Sequence, residues 1–220
     1  MSEHMALENL TVLDLTRVLA GPFCTMMLAD MGANVIKIEV PKGGDDTRSY
    51  PPFRAKNLNG ERESVYFANI NRNKKGITLN LKAPEGKEIF KELVKKADIV
   101  VENYRPGVMD KLGLGYDVLK EINPRIIYAA VSGFGCYGPY HLRPGYDILA
   151  QAMGGMMSIT GSKGGEPTRA GSALGDILGG LHVTIGILAA VNARTITGKG
   201  QRVDAVSYTH LRAHETGAYL

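Results

Sequence analysis

Short apolar segments alternate with longer segments of helical periodicity along the first part of the chain. The short segments are rich in aliphatic and β-branched residues and predict strands over residues 11–15 (TVLDL), 33–39 (ANVIKIE), 77–81 (ITLNL), 98–103 (DIVVEN) and 125–132 (RIIYAAVS). The segments between them predict helices over residues 21–32, 83–97 and in the region that ends at 123. Strands separated by helices are typical of βαβ crossovers. The predicted fold class is therefore α/β, with a doubly wound, mostly parallel sheet.

Helical patterns dominate the second part of the chain. They cover residues 146–158 (YDILAQAMGGMMS) and 173–195 (ALGDILGGLHVTIGILAAVNART). No internal repeat and no low-complexity linker divides the sequence. We therefore expect the sheet to be followed by helices.

Composition and charge narrow the class of protein. The 220 residues carry a net charge of +4, with 44% hydrophobic and 22% charged residues, which is typical of globular domains. Positive charge is in modest excess between residues 42 and 75, which suits a small anion or a solvated loop better than nucleic acid. The N-terminus lacks a signal pattern, the two cysteines are far apart, and no uninterrupted apolar run reaches the roughly 18 residues of a membrane span. We expect a cytoplasmic protein that binds neither nucleic acid nor membrane.

Loops that follow the predicted strands are the candidate ligand site, because ligands bind at the carboxyl ends of strands in such sheets. Gly21-Pro22 opens a helix directly after the first strand, although no G-x-G-x-x-G motif is present. The segment ENYRPG, with Asn103, Tyr104 and Arg105, could clamp an adenine and a phosphate, or be a Pro-Gly turn with solvated charges. His210 and His214 are spaced like helical metal ligands but have no third partner nearby, so no metal site is predicted.

Asp176 is the only charged residue in AGSALGDILGGLHVTIGILAA, residues 170–190. An ionised carboxylate is unfavourable among glycine, alanine and aliphatic residues unless something compensates it. Asp is a favoured N-cap, so Asp176 could cap the helix that follows. Alternatively, a poorly solvated carboxylate could act as a nucleophile or base. This window alone leaves both hypotheses open.

Four segments in this order resemble the family III CoA-transferases, which include formyl-CoA:oxalate, carnitine and succinyl-CoA:dicarboxylate transferases. They are residues 12–39 (VLDLTRVLAGPFCTMMLADMGANVIKIE), 71–82 (NRNKKGITLNLK), 101–135 (VENYRPGVMDKLGLGYDVLKEINPRIIYAAVSGFG) and 171–180 (GSALGDILGG). The resemblance covers residues 7–204. It implies a Rossmann-like large domain and acyl-CoA and small carboxylate substrates. It also implies no tightly bound cofactor and an interlocked homodimer of the full-length protein.

The resemblance also implies roles for single residues. Asp176 corresponds to the family nucleophile, which forms a mixed anhydride and then an aspartyl-CoA thioester that the acceptor acid opens; glycines around it would leave room for the acyl group. Val40 stands where some members place Arg, so Arg48 or Arg72 could supply that charge. The implied coenzyme A contacts are Leu19, Ala20, Leu79, Lys82, Asn103, Tyr104 and Lys111.

The sequence is compatible with two other functions and contains one anomaly. Racemases of the same fold carry a His-Asp pair where this chain has Tyr146-Asp147, and a CoA-binding fragment without turnover is a further alternative. Family members are longer, with a smaller second domain and a mobile glycine-rich loop. Residues 1–204 therefore correspond to the N-terminal part of the large domain. Residues 205–220 (AVSYTHLRAHETGAYL) have no clean period and are predicted to be a tail foreign to the family, such as translated adaptor sequence.

Overall fold

A single parallel sheet organises the chain in the computed structural model, which describes residues 4–56, 60 and 62–207. The strands run in the order β3-β2-β1-β4-β5-β6, and every neighbouring pair is parallel. The predicted α/β class with a doubly wound sheet is confirmed. The strands are β1 (Thr11–Asp14), β2 (Asn34–Glu39), β3 (Lys75–Thr78), β4 (Ile99–Glu102), β5 (Ile127–Ser132) and β6 (Arg202–Val206).

Helices cover both faces of this sheet. They are α1 (Ala20–Asp30), α2 (Val65–Ile70), α3 (Pro84–Val94), α4 (Val108–Lys111), α5 (Tyr116–Ile122), α6 (Asp147–Met153) and α7 (Leu174–Thr197). Side chains alternate along β1, so Val12 packs with α1 and α7 on one face, while Leu13 packs with α3 and α5 on the other. Two hydrophobic clusters therefore sandwich the sheet.

The structure differs from the predicted elements at three places. Strand β3 lies two residues before the predicted segment, and its side chains are exposed because it is an edge strand. The apolar residues that suggested a strand, Leu79 and Leu81, instead pack into the core from the following turn. The short helix α2 was not predicted. Its N-terminus is capped by Ser64, whose hydroxyl accepts a hydrogen bond from the Phe67 N–H at 3.2 Å.

Strand β6 is the third difference, because only helices were expected after residue 146. It extends the sheet beside β5, and Ala205 pairs in register with Val131. The predicted start of the foreign tail at residue 205 therefore falls inside a strand. Residues 208–220 lie outside the described part of the chain, and the division into two segments stays a prediction.

Helix α7 is long and apolar, with 24 residues and a mean hydropathy of 1.8 over its most apolar window. Within the described ranges it is the one helix that could cross a membrane by length and composition. The sequence predicted no membrane span because no uninterrupted apolar run is long enough, and α7 meets the length only because its few polar residues are tolerated. Such a helix is weak evidence for a membrane span, because the core helix of a soluble protein passes the same test. Val183, Ile187 and Ala190 of α7 are buried in the cluster that covers one face of the sheet.

Gly180 allows α7 to approach α1 closely. A Cβ atom at position 180 would lie 2.5 Å from the backbone oxygen of Ala20 and 3.1 Å from the Phe23 ring. The sequence suggested that glycines around Asp176 make room for an acyl group. At position 180 the glycine instead allows two helices to pack closely.

Gly180→Ala is expected to lower the free energy of unfolding by about 1–3 kcal/mol, because the clash involves backbone that cannot move without shifting a helix. Denaturant unfolding of the protein expressed from its complete gene measures the loss. Gly171→Ala is the matched control, since a Cβ at that position meets nothing within 4 Å. Equal stability of the two variants would show that the contact between α1 and α7 is not tight.

Candidate active site

The loops after β1 and β4 meet at the carboxyl edge of the sheet, where the strand order reverses. Ligands bind at such a switch point in doubly wound sheets. The side-chain amide of Asn103 ties the two loops together: its oxygen accepts a hydrogen bond from the Arg17 N–H at 2.8 Å, and its nitrogen donates to the Arg17 carbonyl at 2.7 Å. Asn103 thus positions the loop that leads to Leu19 and Ala20, and its amide is already satisfied by the protein.

A cavity of about 180 Å³ opens beside this junction. Four of the eight residues predicted from the sequence line it, namely Asp176, Ala20, Asn103 and Tyr104. Arg105 of the suspected clamp also lines it, and so do four polar residues that were not predicted for the site: Ser132, Arg143, Tyr146 and Ser207. The structure therefore brings the candidate nucleophile together with three of the seven predicted coenzyme A contacts.

Asp176 does not cap its helix. The N-cap of α7 is Ala173, and the first-turn N–H of Gly175 donates a hydrogen bond of 2.8 Å to the carboxylate of Asp147. The other oxygen of Asp147 accepts a hydrogen bond from the Gln151 amide at 2.8 Å. The capping hypothesis for Asp176 is therefore wrong, since Asp147 satisfies the helix N-terminus from the neighbouring helix α6.

Burial and, to a smaller extent, the negative charge of Asp147 raise the pKa of Asp176 to about 6. Across the described residues, no group donates a hydrogen bond to its carboxylate. Burial, together with the charge of Asp176, also raises the pKa of Tyr66 to about 12. A carboxylate with so little stabilisation of its negative charge is suited to attack an electrophilic carbon.

Tyr104 connects this cavity with a second one of about 460 Å³. The second cavity is lined by Leu79 and Lys82, as predicted, and by Arg17 and Val40. Its walls are largely aliphatic, with the cations of Arg17 and Lys82 and the carboxylate of Glu39, which is paired with Arg48. Two predicted contacts lie elsewhere: Leu19 is the buried N-cap residue of α1 and Lys111 is exposed at the end of α4, and neither lines these two cavities.

The backbone of Tyr104 is positioned by a buried acid at the end of β4. The Glu102 carboxylate accepts hydrogen bonds from the Tyr104 N–H at 2.7 Å and from the Tyr128 hydroxyl at 3.1 Å. Burial raises the pKa of Glu102 to about 7. This contact holds the aromatic residue that both cavities share.

Arg17 is the arginine that lines the same cavity as Val40, and its Nη2 donates a hydrogen bond of 2.6 Å to the Asp46 carboxylate. Both residues line the second cavity, and the buried Nε of Arg17 has no hydrogen-bond partner in the described part of the chain. The two substitutes considered from the sequence are engaged elsewhere, because Arg48 pairs with Glu39 and Arg72 pairs with Asp30. The only sequence signal for Arg17 was its position directly after a strand.

No metal centre can be assigned within residues 4–56, 60 and 62–207. None of the described residues form a group of three or more His, Cys, Asp or Glu side chains able to hold a metal ion. The spaced pair His210 and His214 lies outside the described residues.

The sheet order and the position of the site define an α/β protein of the doubly wound, Rossmann-like class, with a poorly stabilised carboxylate at its switch point. The family model described as CoA-transferase family III matches residues 7–215. The chain belongs to CoA-transferase family III.

Several known proteins are similar to this chain. An acyl-CoA transferase of Fusarium pseudograminearum is 52% identical over 207 residues, which cover 93% of this chain and 45% of that protein. A succinyl-CoA:mesaconate CoA-transferase of Haloarcula marismortui is 49% identical, with 92% of this chain and 52% of that protein covered. A CAIB/BAIF family protein from Brucella suis has a TM-score of 0.90 at 44% identity, covering 95% of this chain and 55% of that one. The chain thus spans about half the length of the relatives it matches.

Proposed function

We propose that this protein transfers coenzyme A from an acyl-CoA donor to a small carboxylic or dicarboxylic acid, through an aspartyl-CoA thioester on Asp176. The observation that carries the proposal is the cavity in which Asp176 lies. Its carboxylate is partly buried and receives no hydrogen bond from a described residue, and Tyr104 links its cavity to a larger one with cationic residues. Relatives of the chain support the substrate class, since they are named for transfer to mesaconate, glutarate and oxalate.

The chemistry requires one nucleophilic oxygen and little water. The Asp176 carboxylate attacks the thioester carbonyl of the donor, the C–S bond breaks, and a mixed anhydride and the CoA thiolate result. The thiolate attacks the Asp176 carbonyl, which releases the donor acid and leaves an aspartyl-CoA thioester. The acceptor carboxylate then displaces the thiolate, giving a second anhydride, and the thiolate attacks the acceptor carbonyl to form the new acyl-CoA and free Asp176. Exclusion of water protects both anhydrides from hydrolysis.

Coenzyme A fits the second cavity in this proposal. Leu79 and the ring of Tyr104 provide apolar surface for the adenine, and Lys82 and Arg17 provide charge for the phosphates. Ala20 lies where the thioester end would enter the cavity of Asp176. Asn103 lines the cavity of Asp176 and positions the loop that carries Leu19, whereas the exposed Lys111 lines neither cavity.

The racemase alternative is disfavoured by the state of Asp147. Both of its oxygens accept hydrogen bonds from the protein, one from the Gly175 N–H and one from Gln151. Its neighbour Tyr146 replaces the histidine that the racemases carry. The residues at 146 and 147 therefore lack the imidazole-carboxylate pair that would exchange a proton at carbon.

Mass spectrometry tests the proposal. The protein expressed from its complete gene, as wild type and as Asp176→Ala, is mixed with succinyl-CoA, digested, and searched for a CoA thioester on the Asp176 peptide. We expect the adduct in wild type only, with a yield that falls as the pH drops below about 6, because the protonated carboxyl is not nucleophilic. Asp117→Ala, at an exposed site, is the control and should retain the adduct. Binding of coenzyme A without any adduct would contradict the nucleophile and favour a binding module.

A further inference from the structure

We propose that Arg143 is a specificity residue that holds the distal carboxylate of a dicarboxylic substrate while the other end reacts at Asp176. Both residues line the cavity of about 180 Å³. The inference rests on the proposed function and deepens it, because it names the group that would separate diacids from monoacids.

One buried polar group in the lining of the cavity has no hydrogen-bond partner among the described residues. Ser132, the last residue of β5, lines it, and its buried hydroxyl has no hydrogen-bond partner in the described ranges. Buried hydroxyl groups are nearly always hydrogen-bonded in proteins, so an orphan that lines a cavity indicates a polar ligand there. Carboxylate oxygens are acceptors for such a donor.

Arg143 is free to bind an anion. Its guanidinium lies 4.1 Å from the centre of the Tyr140 ring, and it forms no ion pair with any described carboxylate. Arg17 and Arg48, which also lie near the carboxyl edge, are paired with acids. Stacking on an aromatic ring restricts the plane of a guanidinium and leaves its edge available for two parallel hydrogen bonds to a carboxylate.

The charge of the Arg143 guanidinium is not neutralised by Asp176. Burial and Asp147 set the pKa of Asp176 above its usual range, and no arginine offsets them. Arg143 forms no ion pair with the nucleophile, so its charge is available to the far end of a substrate. Arg105 also lines the cavity of Asp176 and does not line the second cavity, but no aromatic ring among the described residues fixes its guanidinium as Tyr140 fixes that of Arg143.

A comparison of two donors of equal length tests the inference. Succinyl-CoA carries a distal carboxylate, and butyryl-CoA carries a methyl group in its place. We expect Arg143→Gln to slow formation of the Asp176 thioester from succinyl-CoA by about 10- to 100-fold, while the rate with butyryl-CoA and the affinity for free coenzyme A stay unchanged. Arg143→Lys keeps the charge without the planar fork, so its rate with succinyl-CoA should lie between the rates of wild type and Arg143→Gln.

The control variant is Arg125→Gln, because Arg125 lies at the opposite edge of the sheet and contacts the Gly198 carbonyl. It should leave labelling by both donors unchanged. Wild-type labelling by succinyl-CoA in Arg143→Gln would overturn the inference and leave the proposed function intact. An equal loss with both donors would also overturn it, since the residue would then act on coenzyme A or on folding. Wild type that forms no thioester with either donor would instead contradict the proposed function itself.

Discussion

Asp176→Asn is expected to abolish CoA transfer and, at the same time, to make the protein more stable at neutral pH. Loss of the nucleophile should lower kcat by at least about 10³-fold, as removal of a covalent nucleophile does in other enzymes. Stability should rise because the wild-type carboxylate is partly buried, lies near Asp147 and receives no hydrogen bond from the described residues. An amide at the same position removes the charge. We expect a gain of about 1–3 kcal/mol in the free energy of unfolding at pH 7.

The pH dependence of that gain identifies its cause. The pKa of Asp176 rises from 3.8 to about 6 on folding, so between these values the native state binds more protons than the unfolded state. The wild-type protein therefore loses stability as the pH rises from about 4 to 6, and the deficit is complete above that range. Asp176→Asn should be more stable than wild type at pH 7 and equal to it near pH 4.

Thermal unfolding of both proteins across this pH range measures the effect. Asp117→Asn, at an exposed site beside Lys120, is the matched control and should show no comparable gain. An Asp176→Asn protein that is no more stable than wild type at pH 7 would mean that the carboxylate is well solvated in the native state. The proposal of a poorly stabilised nucleophile would then lose its physical basis.

The sheet could be predicted from the sequence where strands are buried on both faces. Strands β1, β4 and β5 are mostly apolar, β2 is rich in β-branched residues, and the helices between them have clear periodicity. The edge strands could not be placed, because β3 is exposed and β6 includes Arg202 and Asp204. Pairing with a neighbour, rather than local composition, makes these segments strands.

The position of the site could be predicted, but the hydrogen-bond and ion-pair partners of its polar groups could not. The carboxyl edge of the sheet and the unusual setting of Asp176 were both visible in the sequence. However, the sequence does not reveal that Asp147 caps α7, that the amide of Asn103 is bound to Arg17, or that Arg48 is paired with Glu39. These contacts join residues that are 28, 86 and 9 positions apart in the chain, so each of them depends on tertiary structure.

Lys74→Met is expected to destabilise the protein more than any exposed charge substitution. The Lys74 ammonium donates hydrogen bonds to the Asp14 carboxylate at 3.0 Å, to the Pro22 carbonyl at 3.0 Å and to the Asn71 side chain at 2.8 Å. Both members of the ion pair are almost completely buried. Removal of one partner leaves the other charge buried, and we expect a loss of about 3 kcal/mol in the free energy of unfolding.

The position of this pair connects the loss of stability with the site. Asp14 ends β1 and also accepts hydrogen bonds from Thr16, in the loop before α1, and from Thr25 of α1. Lys74 in turn holds the carbonyl of Pro22, so the ion pair fixes the start of the helix whose first residue, Ala20, lines the cavity of Asp176. Lys74→Met should therefore weaken coenzyme A binding as well as folding.

A double-mutant cycle with Asp14→Asn separates the pair from the packing of its members. Burial opposes ionisation of Asp14, but Lys74 and Lys37 outweigh it and hold the pKa of Asp14 below its usual value. The stability that Asp14 contributes is thus present at neutral pH and lost as the pH falls below about 4, so the deficit of Lys74→Met should shrink on acidification.

The double variant should be less destabilised than the two single losses added together, because neither charge is then left unpaired. Lys95→Met removes one member of an exposed ion pair and should change stability little. Strict additivity in the cycle would show that Lys74 acts through its packing, and the ion pair would then not be what fixes the start of α1.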